Sequence, residues 1–224
     1  MCVKVSKICY IVGASDTQGI YIDRREDDYI IAADAGYSAL RKLGIKPDMV
    51  VGDMDSLGNI PDFENVIRHP VEKDDTDTAL ALAEGIKRGY RDFIIYGGLG
   101  RRLDHSIANI QNCAGCADHG AHCWIWGEGN AVCVFADGEI HFEKEMTGVI
   151  SVFSVGRSYG VTLDGLKYPL NDACLTSFVP LGVSNEFIGV PATISVTEGV
   201  LTVMWSEGAK TFAERARHEC SSDF

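Results

Sequence analysis

The 224-residue chain has no apolar run near the ~18 consecutive residues that a bilayer crossing takes. Lysines at positions 4 and 7 precede a short apolar run, Ile8 to Val12. That run is too short for a secretory leader and reads as a first strand, so the chain is expected to be cytoplasmic. A basic stripe is also missing. Only 20 Lys and Arg stand against 32 Asp and Glu, a formal charge of −12, which argues against a general nucleic-acid binder and suits a protein that concentrates cations. Proline is scarce, at six, and there is no internal repeat or low-complexity tract. What remains is an ordinary globular composition, 46% hydrophobic and 23% charged, long enough to bury a real core.

A complete thiolate metal site is lacking too. Eight cysteines lie at positions 2, 9, 113, 116, 123, 133, 174 and 220, and Cys113-Ala-Gly-Cys116 has His119, His122 and Cys123 close behind. The second pair of well-spaced ligands that a zinc site needs is absent. Asp104 to His119 reads as one helix with Ile107, Ile110, Ala114 and Ala117 on one face. Cys113 sits beside that stripe, where a small buried hydrophobe is the simpler role.

Up to about residue 126, short apolar runs alternate with helical patterns. Ile8–Val12, Tyr29–Ala33, Met49–Gly52, Phe93–Tyr96 and Cys123–Trp126 read as buried strands. Tyr37, Leu40 and Leu43 form a helical stripe stopped by Gly44, and Ala79, Leu82, Ala83 and Ile86 form another stopped by Gly89. Such alternation predicts a Rossmann-like α/β domain with a mostly parallel sheet over residues 1–128. Beyond it, Ala131–Phe135 and Glu139–Phe142 flank Asp137-Gly138, and Thr193–Thr197 and Leu201–Trp205 flank Glu198-Gly199. Both read as two-residue hairpins, and with a helical pattern only at Lys210–Glu219 they predict an antiparallel β-sandwich over residues 129–224.

Ligand sites in open parallel sheets gather at the carboxyl ends of the strands. Asp34-Ala35-Gly36 follows one strand, Gly52-Asp53-Met54-Asp55-Ser56 follows another, and Glu72-Lys73-Asp74-Asp75-Thr76-Asp77 opens a helix. Each cluster alone is as readily a turn or a helix cap. Three at one sheet edge repel one another unless a cation lies between them, and magnesium takes oxygen ligands together with substrate phosphates. The opposite charge follows the strand Phe93–Tyr96, in Gly97-Gly98-Leu99-Gly100-Arg101-Arg102-Leu103-Asp104-His105. Glycines admit a phosphate close to the backbone, the helix start offers N–H groups, and arginine clamps phosphate oxygens. It is neither a Walker A sequence nor a dinucleotide fingerprint in its usual place. With the aspartates it predicts nucleotide phosphates plus magnesium.

These residues also carry a family resemblance. Asp34-Ala35-Gly36, Pro47-Asp48 and Gly52-Asp53-Met54-Asp55-Ser56 closely resemble the first signature of the thiamine pyrophosphokinases. Glu72-Lys73-Asp74 with Thr76-Asp77 resembles the second, and Gly97 to His105 with Asn109 the third. Gly182-Val183-Ser184-Asn185-Glu186 resembles a fourth. The third departs from its common bacterial form at Gly98, Leu99 and Arg101, where Leu99 removes a hydroxyl and Arg101 adds a charge.

The resemblance implies transfer of a pyrophosphoryl group from ATP to the hydroxyl of thiamine, giving thiamine diphosphate and AMP. It implies magnesium on Asp53, Asp55 and Asp77, directly or through water, and an acidic ring completed by Asp34 and Asp74, either of which would orient the attacking hydroxyl. It also implies Arg102 on phosphate oxygens, with Asp104 fixing that arginine or touching a metal-bound water. Gly98, Gly100 and Lys73 would meet the ATP phosphates, and Ser184 and Asn185 the pyrimidine edge of thiamine. Trp205 alternates in phase with Leu201 and Val203, which favours core packing over stacking on substrate. A homodimer with its active site shared between subunits is implied as well. A magnesium-dependent phosphohydrolase and a nucleotide- or thiamine-binding sensor without turnover stay open beside this reading.

Overall fold

Runs rich in isoleucine and valine become strands buried on both faces, as the central strands of a covered sheet must be. In the computed structural model the described residues are 6–13, 19–52, 66–68, 76–100 and 102–221. The first strands are β1 (Ile8–Val12), β2 (Tyr29–Ala33), β3 (Met49–Gly52), β4 (Val66–Arg68), β5 (Asp92–Tyr96) and β6 (His122–Gly127). They pair in parallel in the order β4-β3-β2-β1-β5-β6. The chain therefore starts mid-sheet, works outward to β4, and crosses back to β5. Strand order reverses between β1 and β5, which opens a crevice at their carboxyl ends.

Successive strand residues face opposite sides, and the helices follow that alternation. Ile8, Tyr10 and Val12 share a core with Ala39 and Leu40 of α1 (Gly36–Lys42) and with Phe212 and Ala216 of α4 (Ala209–Glu219). Cys9 and Ile11 share the other with Ala81 and Leu82 of α2 (Asp77–Lys87) and with Cys113 and Ala114 of α3 (Leu103–Ala117). Two expected stripes shift. α2 buries Ala81, Leu82 and Gly85 while Ala83 is exposed, and on α3 Ile107 is exposed while Ser106 and Asn109 are buried. No described helix is long and apolar enough to cross a membrane.

The expected division into a mostly parallel Rossmann-like sheet and a separate sandwich is overturned. Glu128 and Gly129, at φ 52° and 77°, make the tight turn that joins β6 to β7 (Asn130–Ala136) as an antiparallel hairpin. Through it one mixed sheet of 13 strands runs from β4 to β8 (Glu139–Phe142), and only five of the twelve pairings among the described residues are parallel. The physical reason is that β6 would otherwise be an exposed edge, and the hairpin continues its hydrogen bonding directly.

Both expected hairpins fail as well. The arms around Asp137-Gly138 do not pair with each other, nor do β12 (Ala192–Ser195) and β13 (Glu198–Ser206). Instead β7 pairs with β13 and β8 with β12. The two turns are corners lying against each other: Gly199 N–H donates to Asp137 Oδ1 at 2.8 Å, and Val196 N–H to the Gly138 carbonyl at 2.9 Å. The long β9 (Val149–Asp164) pairs with β13 along its first part and with β12 at its end, with a bulge between Val155 and Tyr159. There the sheet folds over, and Phe142 of β8 meets Trp205 of β13 edge to face at 5.1 Å. Strands β10 (Leu170–Thr176) and β11 (Gly182–Glu186) also pair with β9. Helix α4 leaves this half to pack on the first, where the Arg217 guanidinium bonds Asp28 at 2.5 Å and the Tyr10 hydroxyl at 2.6 Å.

Candidate active site

A cavity of about 200 Å³ lies at the carboxyl ends of β1 and β5, where strand order reverses, and Asp34, Asp77, Gly98, Gly100 and Arg102 all line it. Asp34 leaves β2 with φ 50°, a left-handed conformation that aspartate tolerates better than most residues, and its N–H donates to the Val51 carbonyl at 2.8 Å. Gly36 then passes so close to β1 that a Cβ would stand 1.8 Å from the Val12 carbonyl oxygen. Only glycine lets α1 begin there, and that start sets where Asp34 sits. Asp77 is the first residue of α2, just after Thr76, whose Oγ1 accepts the Ala79 N–H at 3.2 Å as the helix cap.

The glycine loop between β5 and α3 faces these carboxylates. Gly97 turns at φ 72°. Gly98 is pressed against the sheet, since a Cβ there would meet Ile125 at 2.7 Å and Ile95 at 3.1 Å. Its carbonyl accepts the Asn109 Nδ2 at 2.8 Å, and the Gly100 N–H donates to Ser106 Oγ at 3.2 Å. Arg102 caps α3 and grips Asp104 bidentately, Nε to Oδ1 at 2.9 Å and Nη2 to Oδ2 at 2.6 Å. Both side chains are exposed. The hydrogen-bonded guanidinium holds the Asp104 carboxyl well below the usual carboxylate range. Leu99 packs largely into the core while lining the cavity wall.

Of the other residues singled out in the sequence, Asp53, Asp55, Lys73, Asp74 and Arg101 lie outside the described residues. Among the described residues no group of three or more His, Cys, Asp or Glu is arranged to hold a metal. Cys113 and Cys123 are buried in the core with Ile95 and Ile125. Trp205 is 3% exposed, packs on Trp124 and Phe142, and donates its Nε1 to Glu207 at 2.9 Å.

In the other half, Ser184 is exposed at φ 57°, its N–H donating to Ser151 Oγ at 3.1 Å. Asn185 is 2% exposed, and its amide is taken up by backbone. Oδ1 accepts the N–H groups of Tyr168 and Glu186, each at 2.9 Å, and Nδ2 donates to the Tyr168 carbonyl at 2.7 Å. Asn185 therefore ties β11 to the Tyr168 backbone beside the bulge that presents Ser184. Sequence reasoning missed Ser106 as a support of the site and noted Thr76 and Asn109 only within motifs. The available signal was polar residues on the helix face that periodicity assigns to the core.

The family model described as "Thiamin pyrophosphokinase, catalytic domain" matches residues 24–125, and "Thiamin pyrophosphokinase, vitamin B1 binding domain" matches residues 138–201. A relative in Bacillus subtilis (strain 168), "Thiamine pyrophosphokinase", is 31% identical over 184 residues, 79% of this chain and 86% of the relative. The crystal structure of a thiamine pyrophosphokinase from Bacillus subtilis aligns with a TM-score of 0.77 at 29% identity, covering 90% of this chain and 99% of that one. One from Geobacillus thermodenitrificans aligns with a TM-score of 0.74 at 27% identity, covering 89% and 97%.

Proposed function

The chain belongs to the thiamine pyrophosphokinase family, and on that premise we propose that it moves a pyrophosphoryl group from ATP, bound with magnesium on the α/β half, to the hydroxyl of thiamine. The observation that carries this reading is the cavity at the strand-order reversal, where Asp34 and Asp77 face a glycine loop bearing Arg102. Two carboxylates in one small cavity are hard oxygen donors, the chemistry that suits magnesium. Asp53, Asp55 and Asp77 would hold it, and when bound it supplies positive charge against the phosphate oxygens.

The remaining work is alignment, since phosphoryl transfers need positioning and charge neutralisation more than covalent help. Asp104 takes two of Arg102's five N–H donors and so orients the guanidinium while leaving donors for phosphate oxygens. Lys73 and the loop at Gly98 and Gly100 complete the phosphate contacts. Asp34 or Asp74 orients the thiamine hydroxyl and takes its proton, and the oxygen bonds to the β-phosphorus as the bridge to the α-phosphate breaks and AMP departs.

Thiamine carries a permanent positive charge, which an acidic chain attracts. Ser184 is the exposed candidate for its pyrimidine edge, and Asn185 contributes by holding the bulged strand β11 in place. Residues 129–224 would serve thiamine binding and dimerisation. Phe178, Leu181 and Ile188 are each more than half exposed around β11, and a second copy of the chain would cover them. We assign the working unit as a homodimer with each site shared between subunits. Incubation with magnesium, ATP and thiamine should yield AMP and thiamine diphosphate in equal amounts. Accumulation of ADP, release of free phosphate without thiamine, or binding with no turnover would refute the assignment.

A further inference from the structure

Helix α3 buries polar side chains where its pattern calls for apolar ones. Ser106 is 9% exposed and Asn109 6%. A buried amide or hydroxyl is costly unless bonded, so these side chains are kept for what they hold. Residues three apart on a helix lie on the same side, and Ser106, Asn109 and Asn112 make one such row. Each reaches a different part of the cavity wall. Ser106 Oγ accepts the Gly100 N–H, Asn109 Nδ2 donates to the Gly98 carbonyl, and Asn112 Nδ2 donates to Thr76 Oγ1 at 3.4 Å. Thr76 caps the helix that begins with Asp77. One helix face thus ties together the glycine loop and the acidic helix start across the cavity.

We propose that the Ser106–Asn109–Asn112 row is a positioning device that sets the ATP-phosphate loop and the Asp77 end of α2 relative to each other. This rests on the cavity being the ATP site. The central member is Asn109. A carbonyl oxygen carries partial negative charge and repels a phosphate, and the amide of Asn109 occupies that of Gly98 while Ile95 and Ile125 close the space behind the glycine. With that side closed, the loop can give only toward the cavity once the bond is lost, where the carbonyl meets the phosphates.

The test varies ATP and thiamine separately in steady state and measures ATP binding directly by calorimetry. Asn109→Ala should raise the ATP KM about 10-fold and lower kcat by about 10- to 100-fold, the scale of a misplacement near 1 Å, with the thiamine KM within about twofold because the row touches only the nucleotide side. Asn109→Asp should be worse than Asn109→Ala, because a carboxylate cannot donate to the carbonyl. Asn112 is only partly buried, so Asn112→Ala spares the core, and it should raise the ATP KM a few-fold. Wild-type kcat and ATP KM in a folded Asn109→Ala protein overturn the proposal, as do equal rises in both KM values. Should Asn109→Ala fail to fold, wild-type parameters in Asn112→Ala overturn it alone. If the wild-type protein releases no AMP, the assignment of function fails, and an unchanged ATP Kd in the folded variants still decides against the positioning role.

Discussion

Replacing Gly36 by alanine is the sharpest probe of how the fold places the site. The glycine's φ does not lie in the left-handed region, so the backbone itself accepts alanine, and the whole effect comes from space. A Cβ would sit 1.8 Å from the Val12 carbonyl oxygen, 2.5 Å from its carbon and 3.1 Å from the Gly13 oxygen. All three are backbone atoms at the end of β1, which is paired on both sides, with β2 and β5. They cannot swing aside as a side chain would. Lifting the closest contact from 1.8 Å to the 3.0 Å floor of real Cβ contacts moves the start of α1 by about 1.2 Å. Asp34, two residues earlier, is joined to that start by the Tyr37 N–H bond to its carbonyl at 3.2 Å, so the displacement is passed to a cavity-lining carboxylate. Misplacement on that scale costs about 100-fold in turnover, and overpacking of this kind costs about 1–3 kcal/mol in stability. The assay is AMP release at saturating ATP and thiamine, alongside urea unfolding of the same preparations. Gly36→Ala should remain folded, with kcat reduced about 100-fold. A folded variant within about threefold of wild-type kcat would show either that the contact relaxes elsewhere or that Asp34 has no part in the reaction.

The shared site can be tested by complementation, motivated by carboxylates in the cavity and Ser184 on β11 lying in different halves of the chain. Asp77→Asn should lose about 100-fold or more alone. Refolded in equal mixture with Asn185→Ala it should regain about a quarter of wild-type activity, since half of randomly paired dimers carry one intact site of two. A flat result with mixed dimers shown to form rules the shared site out. Stability should also fall at alkaline pH, because burial pushes the thiols of Cys9, Cys133 and Cys220 far up. Their folded pKa values are raised, so the stability they contribute is fully present below the unfolded pKa of about 8.5 and is lost as pH rises above it. From pH 8.5 to 9.5 each thiol should cost about 1 kcal/mol and the three together about 3 kcal/mol. Urea unfolding under reducing conditions measures this, and an unchanged midpoint over that interval would contradict the burial of these thiols.

Chemistry that depends on near neighbours is legible in the sequence. Ile8–Val12, Tyr29–Ala33 and Met49–Gly52 declare themselves as strands because a β-rich apolar run of that length needs burial on both faces. The acidic clusters, the glycine loop and Arg102 point to nucleotide phosphates because each is a local arrangement of charge and backbone freedom. Asp137-Gly138 was recognisable as a turn for the same reason: an aspartate and a glycine in sequence suffice to reverse or bend the chain.

Only the tertiary structure decided which strand each turn serves. The corners at Asp137-Gly138 and Glu198-Gly199 have hairpin chemistry, yet their arms exchange partners, β7 with β13 and β8 with β12. Pairing partners are chosen by burial across the folded sheet, which a window of neighbouring residues does not contain. The same holds for Asn185, whose amide is taken up by Tyr168, seventeen residues away. It holds too for Asn109, whose place on a buried helix face makes sense only once the carbonyl of Gly98 comes within 2.8 Å. A motif names the residues at a site; whether a polar side chain there meets the ligand or holds the backbone that does is settled by what lies opposite it in space, because a buried hydrogen-bonding group must find its partner wherever the fold brings one.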